Sequence, residues 1–281
     1  MLIKKERFHF AQEEEGQLMV DVTDRVNNRP IDGASVSISY VGDPQDTLEQ
    51  LTTDSNGMTE EIDLAAPPRS YSEYPLSDVQ PYSEYNLIIT APGYEATTIS
   101  GSEIFSGELS IQPVSLNPVL PNASASVINI PANTLWGVFP PKIPEDEIKP
   151  VRSSGEIVLS RVVIPEYVVV HDGVPSDSSA TDYYVRYADY IKNVASSEIY
   201  STGPEATLRA NITAIMSFTL NRVYTEWYRN KGYDFTITTS TAYDHKWVYG
   251  RNIFDSISRI VDEIFASYVS RPNVKQPILT Q

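Results

Sequence analysis

The chain has 281 residues, a formal net charge of −16 and a hydrophobic content of 41%. This length is sufficient for two domains, each with its own apolar core. The acidic balance argues against a nucleic-acid partner and against docking on anionic lipid, because both need a basic surface. The absence of cysteine excludes disulfide bonds, thiol nucleophiles and cysteine-ligated zinc.

No stretch approaches the ~20 consecutive apolar residues of a membrane-spanning helix, so the sequence predicts no membrane span. The N-terminal arm, residues 1–15, has no apolar segment of the signal-peptide type. The net charge does not exclude neutral or cationic ligands, and sugars are among the neutral ones.

Residues 16–117 contain several short runs in which apolar and polar side chains alternate, which is the period of half-buried strands. In the first run, GQLMVDVTD, the side chains of Leu18, Val20 and Val22 share one face. The runs ASVSISYV, YNLIITA and GELSIQPVSL follow, with Asp-Gly, Asn-Gly and Pro-Gly turn signals between them. This spacing predicts an all-β sandwich.

The order GxLxVxVxD, RPIxGAxVxI, TDSNGMTEEIDL and APGYEATTI resembles the carboxypeptidase-regulatory, or transthyretin-like, β-sandwich family. The resemblance covers most of residues 16–116 and implies a structural or interaction domain, with a protein partner and without chemistry of its own. The matching positions are Gly16, Leu18, Val20, Val22, Asp24, Pro30, Ile31, Gly33, Ala34, Val36, Thr53, Asp54, Asn56, Gly57, Pro92, Gly93 and Tyr94.

Two motifs in this region admit alternatives. TDSNG, residues 53–57, has the oxygen-bearing side chains of a calcium loop but lacks the later bidentate glutamate of an EF-hand, so a hairpin turn is favoured. The motif YSEY occurs at 71–74 and 82–85. Its tyrosines fit a sugar-stacking platform or the packing of a proline-rich loop onto the sandwich, and packing is favoured.

Residues 118–155 are rich in proline, which predicts an extended connector rather than a flexible one. Within it, the patch Leu135–Phe139 is too apolar for a solvated linker. We expect this patch to dock on a neighbouring domain or on a protein partner.

Residues 156–281 predict an α+β domain with about three main helices. Helical periodicity places these helices over 182–199, 204–232 and 252–272. The run GEIVLSRVVIPEYVVVHDG predicts two strands about Pro165, and YDFTITTSTAYDHKWVYG predicts a strand and a loop. The predicted fold class is therefore multidomain, an N-terminal all-β sandwich followed by an α+β domain.

The catalytic motifs of several enzyme classes are missing from the sequence. It contains three histidines and neither a Gly-x-Ser-x-Gly elbow, a glycine-rich phosphate loop nor a histidine pair at metal-ligand spacing. The sequence therefore predicts no metal and no cofactor. Carboxylates and tyrosines remain, and these are the groups used in glycoside cleavage.

The start of the helix predicted over 204–232 is explained by helix mechanics. Thr202 and Glu205 have the spacing of a capping box, and Pro204 suits the first helical turn. These three residues need no functional role.

Glu198 lies just before this start, at the end of the preceding predicted helix. The positive end of the following helix dipole favours its ionised form, whereas apolar neighbours such as Ile199 and Tyr200 raise its pKa, as a general acid needs. The sequence leaves open which effect dominates, and an ordinary solvated acid is the alternative.

The segment YIKNVASSEIYSTGPEATLRAN is similar to the signature of the stage II sporulation protein D family and its amidase-enhancer relatives. The similarity spans about 185–270 and includes the later segment GYDFTITTSTAYDHKWVYG. The positions in register are Val194, Glu198, Pro204, Leu208, Arg209 and Ala210, then Tyr233, Asp234, Thr238 and Thr239, with Tyr249 and Gly250 after an insertion.

Members of that family are lytic transglycosylases that act on peptidoglycan, with the motif glutamate as catalytic acid. The resemblance implies that Glu198 is the catalytic residue, that peptidoglycan glycan strands are the substrate, and that the protein works in the cell wall or outside the cell. We expect Asp244, His245, Tyr249 and Arg209 to bind the substrate. The alternative, which the residue types favour slightly, is an ordinary surface loop for Asp244 and His245 and a core position for Tyr249.

The chain also departs from the family pattern. Tyr200 stands where the family has proline, Gly203 where it has tryptophan and Ala206 where it has glutamate. The family's S-Q-W-G-A segment is expected after the third helix, but the sequence given ends at Gln281, so a shortened and weakly active domain is one expectation. The alternative is a non-catalytic cell-wall-binding or structural component, for example of a spore assembly or of a phage-tail-like particle in which it is packaged.

Overall fold

The computed structural model describes most of the chain, in segments 14–74, 79–120, 125–133, 135, 139–148, 159 and 161–280. The chain divides into two compact units, each built from three segments. The first unit is Met1–Asn133, Tyr200–Gly203 and Tyr249–Ser256, and the second unit is Thr134–Ile199, Pro204–Val248 and Ile257–Gln281.

The strands and helices of the described segments are numbered in chain order. They are β1 (Glu14–Asp24), β2 (Ser35–Tyr40), β3 (Asp43–Thr52), β4 (Ile62–Ala66), α1 (Ser70–Glu73), β5 (Ser83–Thr90), β6 (Thr97–Ile104), β7 (Leu109–Leu116), β8 (Ser126–Asn129), β9 (Tyr167–His171), β10 (Asp182–Arg186), α2 (Tyr187–Glu198), α3 (Glu205–Tyr224), a 3-10 turn (Arg229–Lys231), β11 (Ile237–Thr238), β12 (Ile253–Phe254) and α4 (Asp255–Ile264). None of these helices has the length and apolar character needed to cross a membrane.

The first unit is a β-sandwich, as the alternating pattern predicts. One sheet has the strand order β12-β7-β1-β4 and the other has the order β3-β2-β5-β6-β8. Leu18, Val20 and Val22 of β1 are fully buried in its core. The hydroxyl of Tyr85 in β5 donates a hydrogen bond to the carbonyl of Ala65 in β4 at 2.8 Å, which joins the two sheets.

Strand β3 does not show the alternation of apolar and polar residues, because almost none of its side chains is buried. Of its ten residues, DPQDTLEQLT, only Leu51 is buried. The strand forms through backbone pairing with β2 at the end of the five-stranded sheet. The sequence of β3 therefore lacks the apolar–polar alternation from which a strand is predicted.

The tyrosines of the YSEY repeats are used mainly for packing, the alternative that the sequence favours. Tyr82 and Tyr85 are buried. The Tyr82 hydroxyl donates to the carbonyl of Asn133 at 3.0 Å, and the Tyr85 ring stacks on Tyr40 with 4.9 Å between centroids. Tyr74, in contrast, is 71% exposed.

The TDSNG segment is a turn. Asp54 Oδ1 accepts the backbone N–H groups of Asn56 at 2.8 Å and Met58 at 3.1 Å, so the carboxylate is used within the turn itself. Gly57 closes the turn with a left-handed backbone, φ +79°. The preference for a turn over a calcium loop is therefore supported.

The second unit combines the three-stranded sheet β10-β9-β11 with α2, α3 and most of α4. The predicted helix over 182–199 is wrong in its first five residues, which form β10 and pair antiparallel with β9. Their exposure alternates along the strand, and helix α2 begins only at Tyr187. Of the strand predicted before Pro165, residues 155–158 and 160 lie outside the described residues, and 161–164 form no strand.

The ends of the other two predicted helices also differ from the structure. Helix α3 ends at Tyr224, and Gly232, predicted as the stop of this helix, ends the short 3-10 turn with φ +86°. The capping box is not formed, because Pro204 is the N-cap without a side-chain hydrogen bond and Thr202 donates to Ser72 Oγ at 2.7 Å. Helix α4 ends at Ile264 rather than near Pro272.

Two glycines in turns of the sandwich both have a left-handed backbone, but only one of them lacks space for a side chain. Comparing their alanine variants therefore separates the cost of steric crowding from the cost of backbone strain. Gly33 has φ +72° and open space where a Cβ would lie, whereas a Cβ on Gly57 would lie 2.5 Å from the carbonyl oxygen of Val22. Gly33→Ala should cost about 1–2 kcal/mol of unfolding free energy for the left-handed backbone alone. Gly57→Ala should cost more, because it adds a clash with main chain. Urea unfolding of both variants measures the difference, and equal losses would contradict the predicted crowding.

Candidate functional site

Glu198 is the last residue of helix α2, and the backbone becomes extended at Ile199. The helix buries Tyr190, Ile191 and Val194 on its inner face, which fixes its position in the second unit. The Glu198 side chain is partly buried. Its Oε1 accepts the backbone N–H of Lys246 at 2.6 Å. The predicted acid is therefore held against the loop that joins β11 to β12.

Asn193 fixes the same loop at a second point. Its Nδ2 donates to the carbonyl of Val248 at 2.8 Å, and its Oδ1 accepts the Val248 N–H at 2.9 Å. A side-chain amide can satisfy both backbone groups of one residue in this way. Helix α2 thus holds the loop through Asn193 and Glu198 together.

The surroundings of Glu198 favour its protonated form. Burial raises the pKa of the carboxyl, while the Lys246 N–H and the ammonium groups of Lys142 and Lys246 lower it. Burial dominates, so the pKa of Glu198 lies above its usual range. A carboxylic acid that keeps its proton at higher pH has the property required of a general acid.

Lys142 brings a positive charge from the proline-rich segment to this site. Its Nζ donates to the carbonyl of Asp244 at 2.5 Å and lies 5.6 Å from the centre of the Phe218 ring. Burial lowers the pKa of Lys142, while Glu198 and Asp244 raise it. Sequence reasoning missed this residue, because a lysine among prolines gives no sign of its distant partners.

A buried charge network lies behind the loop. Arg222 Nε donates to Asp244 Oδ1 at 2.6 Å, and the guanidinium makes two hydrogen bonds to Glu145, at 2.8 and 2.5 Å. The side chains of Arg222 and Asp244 are fully buried. Although burial lowers the pKa of Arg222, Asp244 and Glu145 raise it beyond its usual value. Arg222 is therefore charged, and it is a second residue that sequence reasoning missed.

Asp244 is occupied by the protein itself. Besides Arg222, its carboxylate accepts the hydroxyl of Tyr228 at 2.6 Å and both the N–H and the hydroxyl of Thr238, at 2.9 and 2.6 Å. Four donors use the acceptor capacity of one carboxylate. The geometry suits a residue that fixes the loop, and direct substrate contact by Asp244 stays a prediction.

His245 is buried against Phe218, with 4.4 Å between ring centroids, and its Nδ1 lies 3.4 Å from the Tyr190 hydroxyl. Burial lowers the pKa of His245 well below its usual range, and the charges of Lys142 and Arg222 lower it further. The imidazole is therefore neutral at pH 7, and it packs rather than carries charge.

The other two predicted substrate-binding residues, Tyr249 and Arg209, make contacts away from Glu198. Tyr249 belongs to the first unit, where its hydroxyl accepts a hydrogen bond from Arg25. Arg209, on helix α3, forms ion pairs with Glu205 at 2.7 Å and with Glu263. The structure thus brings Glu198, Asp244 and His245 together around one loop and engages Arg209 in surface pairs.

The apolar patch of the connector is described only in part. Phe139 is 46% exposed and Leu135 is partly buried, while Trp136 and Val138 lie outside the described residues. Docking of this patch stays a prediction. Among the residues that the structure describes, no group of three histidine, aspartate or glutamate side chains is arranged to hold a metal ion.

Comparisons with known proteins give weak similarity on the β-sandwich part. No family model matches the chain, and neither does any curated protein. The TIE protein of Bacillus anthracis is 16% identical over 38% of this chain and 17% of its own, with a TM-score of 0.26. The 5-hydroxyisourate hydrolase of Klebsiella pneumoniae is 20% identical over 37% and 92%, with a TM-score of 0.25. A minor pilin of Streptococcus agalactiae is 16% identical over 42% and 48%, with a TM-score of 0.26.

These likenesses support no inference about activity or partners, because the TM-scores are low and the chain spans less than a fifth of the first protein. The resemblance of the second unit to the sporulation protein D family stays a prediction.

Arg222→Leu should destabilise the second unit by about 3–5 kcal/mol, because it leaves the buried carboxylates of Asp244 and Glu145 without their counter-charge. Arg209→Leu is the matched control, since Arg209 lies on the same helix and also pairs with two carboxylates, but at the surface. Urea unfolding followed by circular dichroism compares the two. Similar losses for both variants would show that the buried network does not hold the unit together.

The raised pKa of Glu198 predicts a pH dependence of stability. The folded state holds this proton more tightly than the unfolded chain, so the contribution of Glu198 to the free energy of unfolding is fully present below the unfolded value of 4.5 and is lost as pH rises through the folded pKa. Glu198→Gln removes this titration, while His245 and the lysines contribute to both proteins. The stability of the wild type minus that of the variant should therefore decrease as pH rises. Denaturant unfolding from pH 4 to 8 measures it, and a flat or rising difference would contradict the assignment.

Proposed function

We propose that the second unit acts on the glycan strands of peptidoglycan, with Glu198 as the catalytic acid, in the manner of the lytic transglycosylases that its sequence resembles. The observation that carries this proposal is the state of Glu198. It is a partly buried carboxyl with a raised pKa, held by the Lys246 N–H at the end of a well-packed helix. Few surface acids have all of these properties.

A single carboxyl is sufficient for this chemistry. Protonated Glu198 donates its proton to the glycosidic oxygen as the bond from the anomeric carbon to that oxygen breaks. The resulting carboxylate then accepts the proton of the sugar's own C6 hydroxyl, whose oxygen bonds to the anomeric carbon. The product is an anhydro sugar, and Glu198 ends the cycle protonated.

The neighbours of Glu198 support both halves of this cycle. Burial favours the neutral acid before proton donation, and the ammonium of Lys142 stabilises the carboxylate after it. The Lys246 N–H keeps one carboxyl oxygen in place in both states. In this proposal Asp244 and neutral His245 act indirectly, since they fix the loop that carries Lys246.

A second candidate function is a non-catalytic role, as a cell-wall-binding or structural component delivered by the β-sandwich. The engagement of predicted substrate-binding groups within the protein favours it: Asp244 is fully buried, and Arg209 is held in two ion pairs. Both candidate functions place the protein at the cell wall or outside the cell, or within a phage-like particle.

Glycan strands freed of peptide distinguish the two functions. The wild type should release anhydro-terminated fragments, and Glu198→Gln should reduce the rate by about 10²–10⁴-fold, the usual contribution of general acid catalysis. Mass spectrometry of the products measures this effect. Glu166→Gln is the control, because Glu166 is an exposed glutamate of the same unit.

The products formed by the three proteins distinguish catalysis from binding. Anhydro products from the wild type and from Glu166→Gln, but not from Glu198→Gln, support catalysis. If wild type and Glu198→Gln both bind the strands and neither releases products, the enzyme proposal is wrong and the binding role stands.

A further inference from the structure

The second unit contains a cavity of about 590 Å³ that the proposed catalytic step does not use. Its walls include the aromatic side chains of Trp227, Tyr233 and Tyr243, with Tyr228 behind them. Trp227, Tyr233 and Tyr243 are only partly buried, whereas Tyr228 is 2% exposed. A cavity of this volume with aromatic walls is typical of small-ligand sites.

Carboxylates lie among these aromatic rings. Glu145 and Asp146 both line the cavity. The Glu145 oxygens each accept one hydrogen bond from Arg222, which orients the carboxylate firmly. The two carboxylates place acceptor oxygens at the wall of the cavity, beside the aromatic rings.

The face of Trp227 is already covered by a side chain of the protein. Lys231 Nζ lies 3.4 Å from the centre of the indole ring. Lys231 is an exposed residue whose ammonium is carried on a flexible apolar stem. This cation occupies the position where the flat face of a ligand would stack.

Two short stretches of chain connect this cavity with Glu198. In the connector, the ammonium of Lys142 interacts electrostatically with Glu198, and residues 143–146 line the cavity. In the loop, Lys246 binds Glu198 and Tyr243 lines the cavity. Three residues of extended chain span at most about 11 Å, so a polymer bound at Glu198 can reach the cavity.

We propose that this cavity is a saccharide subsite, in which one sugar ring of the glycan strand stacks on Trp227 and Tyr233 and donates hydroxyl hydrogen bonds to Glu145 and Asp146. A pyranose combines an apolar C–H face with a rim of hydroxyls, and the cavity offers flat aromatic faces beside carboxylate acceptors. The choice of a glycan as ligand rests on the proposed function, but binding at the cavity does not require cleavage.

A soluble tetrasaccharide of β-1,4-linked N-acetylglucosamine tests the subsite by isothermal titration calorimetry. The full chain carrying Glu198→Gln is used, so that no cleavage interferes. On this background Trp227→Ala should weaken binding by about tenfold, and Trp227→Phe should retain most of it. Lys231→Ala should strengthen binding about two- to fivefold, because the ammonium no longer covers the ring.

Tyr184→Ala is the control, since Tyr184 is an aromatic residue of the same unit that is 78% exposed on β10 and does not line the cavity. Its binding should be unchanged. Thermal unfolding shows whether each variant is folded, and Trp227→Phe keeps the test valid if Trp227→Ala is not. Absence of binding, equal affinity of folded Trp227→Ala, or weaker binding by Lys231→Ala would each overturn the subsite.

The two proposals fail separately. Cavity-dependent binding without anhydro products from the wild type would leave the subsite standing and refute catalysis by Glu198. Anhydro products together with binding that ignores Trp227 would support catalysis and refute the subsite.

Discussion

The guanidinium of Arg222 is the group on which the second unit depends. It lies fully buried on helix α3 and binds carboxylates from two distant segments, Glu145 of the connector and Asp244 of the loop. Removing three charged groups from water is costly, and their mutual pairing offsets much of that cost. The pairing therefore favours the fold in which these two segments meet at Arg222. Their meeting brings Lys142 and Lys246 to Glu198.

Local pattern predicted the parts of the fold in which one face of an element is buried. The alternation in β1 and the helical spacing in α4 both reflect a core on one side. Strand β3 has nearly no buried face, so its sequence gives no period to detect. The prediction was wrong at residues 182–186 for another reason. These five residues include aromatic and β-branched side chains that continue the pattern of the following helix by chance. Only their pairing with β9 assigns them to a strand.

The sequence singled out Glu198 as the candidate acid, but it gave no indication of the residues that surround Glu198. Glu198 is marked by a helix corner and a sequence resemblance, both of which are local. Lys142 and Arg222 act through partners 102 and 77 positions away in sequence, Asp244 and Glu145 respectively. No local period encodes such a pairing. For the same reason Asp244 looked like an accessible loop acid, although its four hydrogen bonds are internal.

The exposed strand β3 has a consequence for crowded surroundings. It ends the five-stranded sheet, and in the described residues no strand pairs with its outer edge. Such an edge can recruit a second chain and start fibrous aggregation. Here the strand carries Asp43, Asp46 and Glu49, so two copies approaching edge to edge would bring like charges together. The acidic side chains of β3 therefore oppose edge-to-edge pairing of two copies of this protein.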